Sequence, residues 1–165
     1  MRRLMAMTVA VPLLFIAAPG TATDLHWFWE QTCGDCHDHA ASWARQFLTV
    51  KDGRLQGRHH TDDLLVFLGN HHLPPDLVQP MYDMLLAQAS TEPRFKERCG
   101  RCHETAAELA RESLVVRNGV LQGRESGRPV AQFLPRHAKL GLTPEDVAFF
   151  TDLLTRVEGE VHSGN

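Results

Sequence analysis

An all-α fold made of two small helical units in tandem is what this 165-residue sequence predicts. Three observations carry that expectation. Self-similarity at a fixed period marks a repeated architecture, and a shift of 66 residues overlays the two halves without a gap from Trp29 to His71. Apolar residues recur at helical spacing behind recognisable helix starts. Strand signals are few: Leu114-Val115-Val116 is the best candidate, and it is short.

The chain opens with Met1-Arg2-Arg3, an apolar run from Leu4 to Ala18, then Pro19-Gly20-Thr21-Ala22. A basic start, a short apolar core and small residues before a polar segment read as a secretory signal peptide over residues 1–22, cleaved after Ala22. The run is short and wrongly flanked for a membrane span, so a periplasmic, exported product that does not span the membrane once processed is expected. Residues 23–89 then form the first unit and 90–165 the second.

In each unit a short helix comes first, Leu25 to Gln31 or Pro93 to Arg98. Ala40 to Leu48 and Ala106 to Leu114 continue as helices rich in Ala, Leu, Arg and Glu. Arg45 and Arg111 coincide in the repeat and are expected on an exposed helix face. Lys51-Asp52-Gly53 and Arg117-Asn118-Gly119 read as turns, the glycine taking a positive φ. Thr61 is placed to cap a helix through Leu64, Leu65 and Leu68. Leu77, Met81 and Leu85 make one face of the first unit's last helix. Val147, Phe150, Leu154 and Val157 do so in the second, behind the start signal Thr143-Pro144-Glu145-Asp146.

The chemistry lies in a stretch that the repeat carries twice, Cys33-Gly34-Asp35-Cys36-His37 and Cys99-Gly100-Arg101-Cys102-His103. Each reads C-x-x-C-H, the attachment signature of a c-type haem. Two thiols three positions apart share one helical face and can both bond the porphyrin edge as thioethers. The adjacent histidine, His37 or His103, then falls under the iron as proximal ligand. Two C-x-x-C pairs could alternatively bind zinc through four thiolates, but zinc does not call for a histidine directly after each second cysteine. All four cysteines of the chain lie in these motifs. Two covalently bound haem c groups are expected.

Charge narrows the partners. The net charge is −3, or −5 once Arg2 and Arg3 leave with the leader, so nucleic acid is not an expected partner. The balance is uneven: residues 24–89 hold nine acids against four Lys and Arg, and residues 90–165 hold eleven of each.

The chain resembles the tandem dihaem relatives of class I c-type cytochromes. The haem motifs are the specific part of that resemblance. The rest is pattern: the loops Gly53-Arg54-Leu55-Gln56-Gly57-Arg58 and Gly119-Val120-Leu121-Gln122-Gly123-Arg124, and a histidine where the family usually places its sixth ligand. That position is usually methionine; here it is held by His71-His72-Leu73-Pro74-Pro75 and by His137-Ala138-Lys139-Leu140. No methionine follows His103, so His137 is the second unit's candidate, and the repeat points to His71 in the first. His72, Met81 and Met84 remain alternatives for the first iron, and a histidine crossing to the other unit is a third arrangement. The resemblance also implies that Arg58 and Arg124 neutralise haem propionates, which suits a guanidinium fork. His26, His39 and His162 have no counterpart in the other unit and are expected at the surface.

What the resemblance implies is a dihaem relay that passes electrons between redox proteins. A quinol-oxidising complex would be the donor, and a reductase or another cytochrome the acceptor. Two imidazole ligands would give low-spin irons of lower potential than a His/Met pair. The alternative is a haem enzyme or gas-binding cytochrome of dihaem-peroxidase type, with one axial site open.

Overall fold

The computed structural model describes residues 23–58 and 60–162. The expected signal peptide, residues 1–22, lies outside the described residues.

The first unit begins with α1 (Leu25–Thr32), whose cap Asp24 accepts a bond from the Trp27 N–H at 2.8 Å. A single turn, α2 (Gly34–His37), and then α3 (Ala40–Phe47) follow. Here the all-α expectation is overturned. The helix stops at Phe47, and the chain enters an antiparallel hairpin of β1 (Leu48–Lys51) and β2 (Arg54–Gly57). A third strand, β3 (His60–Asp63), pairs with β2, so Thr61 lies in a strand and not at a helix cap. The unit ends with α4 (Leu64–Gly69), a 3₁₀ turn at Pro75–Leu77 and α5 (Val78–Ser90).

The second unit follows this order without the separate α2 turn and without a third strand among the described residues. It runs through α6 (Arg94–Cys99), α7 (Ala106–Ser113), the hairpin β4 (Leu114–Arg117) with β5 (Val120–Gly123), and α8 (Val130–Phe133). A kinked 3₁₀ segment, Leu134–Lys139, leads to α9 (Pro144–Val161). Thr143 and Asp146 form the reciprocal capping pair at the start of α9 that the sequence signals.

The hairpins have a specific cause. Asp52-Gly53 and Asn118-Gly119 adopt φ of 51° and 73°, and of 52° and 74°. Two consecutive left-handed residues make the two-residue turn whose twist matches that of the flanking strands. Register follows: Leu48 faces Gly57 and Val50 faces Leu55, and 66 residues on Leu114 faces Gly123 and Val116 faces Leu121. One face of each hairpin therefore carries Leu48 and Leu55, or Leu114 and Leu121, into the core, where all four are buried.

Each unit has its own core. In the first, α3 packs on α5, and Ala44, Leu55, Met81, Met84 and Leu85 are almost fully enclosed. In the second, α7 packs on α9, and Phe150 and Leu154 take the place of Met81 and Leu85. The two units are clamped at α1, which lies against α9. His26 Nε2 meets Glu160 Oε2 at 2.8 Å, and Arg111 Nε donates to Asp24 Oδ2 at 2.6 Å. Two expectations are corrected by this clamp. His26 is buried, and Arg111 leaves the exposed-face role to bond Asp24 and stack over Trp27. No helix among the described residues is long and apolar enough to cross a membrane.

Candidate haem-binding sites

Both motifs fold as one helical turn. The His37 and Cys36 N–H groups donate to the Cys33 carbonyl at 2.9 and 3.2 Å, and those of His103 and Cys102 donate to that of Cys99, both at 3.0 Å. This turn brings the two cysteines and the histidine of each motif onto one turn of backbone. Cys36 and Cys102 are exposed, whereas Cys33 and Cys99 are half-buried. Burial pushes the thiols of Cys33 and Cys99 up; Arg98 partly offsets this at Cys99.

The second histidine of each unit arrives from the far end of the fold. His71 follows α4, its N–H bonded to the Leu68 carbonyl at 3.2 Å. His137 sits at the kink after α8 with an extended backbone, φ −72° and ψ 126°. In both units the next residue turns left-handed, His72 at φ 53° and Ala138 at 50°. Such a conformation costs a non-glycine residue about 1–2 kcal/mol. Its recurrence at equivalent positions aims the same histidine in the same direction twice.

The outcome is two facing imidazole pairs. The His37 and His71 ring centroids lie 6.1 Å apart, and those of His103 and His137 lie 5.9 Å apart. Imidazole nitrogens bind first-row metals at about 2 Å, so one metal held linearly between two such rings separates their centroids by roughly 6 Å. His71 is therefore the ring that meets His37. His72 packs edge-on against His71 at 5.3 Å. Met81 and Met84 are core residues with 1% exposure each, and neither lines the His37 cavity. No histidine crosses between the units in either pair.

One imidazole of each pair, His37 or His137, is shifted toward the neutral form that ligates metals. Burial, then the neighbouring His71, lowers the pKa of His37; burial, then His103, lowers that of His137.

Beside the first pair lies a cavity of about 1010 Å³, at the upper end of small-molecule sites. Cys36, His37, Trp43, Phe47, Val66 and Phe67 are among its walls, with Arg58 at its polar edge. Phe47, Val66 and Phe67 are large apolar side chains exposed to 44%, 67% and 51%. Apolar surface gathered around a cavity calls for an apolar occupant, and a porphyrin face has that character. The residues of the first unit thus fit a haem: two thiols, two imidazoles with centroids 6.1 Å apart and an apolar wall.

Arg58 and Arg124 have a backbone role in this structure. Arg58 Nη2 donates to the Arg45 carbonyl at 2.8 Å, and Arg124 Nη2 donates to the carbonyls of Arg111 and Leu114 at 3.1 and 2.7 Å. They satisfy the carbonyls at the ends of α3 and α7, orphaned by helix geometry. Each guanidinium carries five N–H donors, so donors remain for a carboxylate. Trp29 and Trp43 were not singled out as site residues by sequence, yet both rings pack on His37, at 6.0 and 5.0 Å. Trp29 Nε1 also donates to the Asp38 carbonyl at 2.8 Å, fastening the residue that follows the motif.

No group of three or more His, Cys, Asp and Glu side chains is arranged to hold a metal ion among the described residues. No protein-family model, curated protein or solved structure matches the chain.

Proposed function

We propose that this chain is an exported dihaem c-type electron carrier that relays electrons between redox proteins. The observation that carries the reading is the pair of facing imidazoles beside a C-x-x-C-H turn, present twice at a spacing of 66 residues. A porphyrin brings four equatorial nitrogens of its own, so its iron asks only two axial ligands of the protein. Two histidines per unit suit that requirement, whereas a structural zinc site needs four protein ligands.

Cys33, Cys36, Cys99 and Cys102 would hold the two groups covalently, and His37 with His71 and His103 with His137 would hold the irons. Haem so ligated supplies one-electron exchange between ferrous and ferric iron. The chain's part would be to supply two imidazoles to each iron, leaving no site open to oxygen or peroxide, and to wall the first ring with apolar side chains. Arg58 and Arg124 would offer N–H groups to propionates from the loops after β2 and β5. Donor and acceptor would be a quinol-oxidising complex and a reductase or second cytochrome, met outside the cytoplasm.

The test is a haem-stained gel together with optical and electron-paramagnetic spectra of the purified protein, with and without carbon monoxide. Two covalent haems, both low-spin with two imidazoles and indifferent to carbon monoxide, are expected. Zinc without covalent haem would overturn the reading. A carbon monoxide-reactive haem would replace the relay with an open-site enzyme or gas binder.

A further inference from the structure

Each second imidazole has an aromatic neighbour four residues earlier, in the helix that precedes it. Phe67, four residues before His71, stacks on it with centroids 4.6 Å apart and planes 25° apart. Phe133, four residues before His137, lies 4.7 Å from it with planes 42° apart. Residues around these pairs diverge in the repeat: Val66 corresponds to Gln132, and Asn70 to Arg136. The phenylalanine is kept in both. It is not kept for the core, since Phe67 is 51% and Phe133 is 39% exposed.

The consequence is angular. An imidazole joined to a metal through one nitrogen is still free to rotate about that bond, and a ring packed against it, stacked in the first unit and tilted in the second, restricts that rotation. The planes of His37 and His71 differ by 58°, whereas those of His103 and His137 differ by 32°. In low-spin ferric haem the angle between two imidazole planes sets the splitting of the iron's lower d orbitals. Strongly crossed planes give a highly anisotropic signal with one very large g value. Nearly aligned planes give a rhombic signal with three moderate g values.

We infer that Phe67 and Phe133 are positioning residues that lock the plane of the second axial imidazole, at a more crossed angle in the first unit than in the second. The inference rests on the haem reading given above. It makes the two irons electronically distinct although their ligand atoms are the same, and it assigns that difference to two exposed side chains outside the ligand set.

The experiment is frozen-solution electron paramagnetic resonance of the fully oxidised, haem-loaded protein, with Phe67→Leu, Phe133→Leu and the ring-retaining Phe67→Tyr. The parent protein is expected to give two low-spin signals, the more anisotropic one from the first unit. Phe67→Leu is expected to shift and broaden that signal alone, Phe133→Leu the other alone, and Phe67→Tyr to restore the parent line. The Leu variants remove exposed rings, so folding is retained; an unchanged far-ultraviolet circular dichroism spectrum and two haems per chain verify this. Two bis-imidazole signals that stay in place in both Leu variants overturn the inference and leave the relay reading intact. Absence of bis-imidazole signals from the parent overturns both.

Discussion

The two units share a backbone plan but enclose their histidine pairs differently. In the first, Trp29 and Trp43 pack on His37, and Trp43 continues to Phe47 at 6.1 Å. The positions 66 residues later are Phe95, Leu109 and Ser113, so the second unit has lost two indoles and a phenyl ring. The hairpins are also tied down by different groups. The buried Leu55 N–H donates to the Tyr82 hydroxyl at 2.9 Å, whereas in the second unit the Val116 N–H donates to Glu158 at 3.1 Å. Asp38 after the first motif adopts φ 59° and is fastened by the Trp29 indole, a bond Phe95 cannot make. Duplication preserved what aims the histidines and let the wall around them drift.

The largest expected effects come from emptying one unit at a time. Cys33→Ala with Cys36→Ala, or Cys99→Ala with Cys102→Ala, is expected to halve the covalent haem, measured by intact mass. The next effect separates the units by their spare ligand. His137→Ala has only Ala138 beside it, so one haem in two is expected to bind carbon monoxide. His71→Ala leaves His72 adjacent as a substitute ligand, so its binding is expected to be weaker until His72 is also replaced. Equal carbon monoxide binding by the two single variants would remove the distinction.

Smaller effects concern the scaffold. Tyr82→Phe orphans the buried Leu55 N–H and is expected to destabilise the first unit by about 1–3 kcal/mol in denaturant unfolding. Trp29→Phe makes the first unit resemble the second and removes the bond to the Asp38 carbonyl. About 0.5–1.5 kcal/mol is expected for that bond, with Phe95→Leu as the comparison that loses no hydrogen bond. Acid gives the finest contrast. His37 and His137 have pKa values below the ordinary 6.5 in the folded chain. The unfolded chain therefore takes up protons first, and the stability of haem-free protein is expected to fall as pH drops below about 6.5. His37→Gln and His137→Gln, each measured across that range, are expected to remove one part of the slope apiece.

Much of the site was legible because its logic is local or repeated. The C-x-x-C-H turn needs only five consecutive residues, and the 66-residue period matches His71 to His137. Asp52-Gly53 and Asn118-Gly119 mark the turns in the sequence, but by themselves they do not tell a hairpin from a turn joining helices. The four-residue strands on either side are too short for a periodic signal, and Thr49, Val50 and Lys51 are all exposed.

By itself the sequence determined the duplication, the two C-x-x-C-H motifs, the helix start at Thr143 and the histidine that each unit repeats. These depend on residues near in the chain or matched by the repeat. Tertiary structure decided what depends on direction: that His71 and not His72 turns towards His37, because a left-handed residue reverses the chain there. It decided that Met81 and Met84 face the core, and that Arg58 and Arg124 close helix ends. It also decided that His26 and Arg111 clamp the units through partners 134 and 87 residues away. Side-chain orientation and long-range pairing follow from packing, which no window of sequence contains.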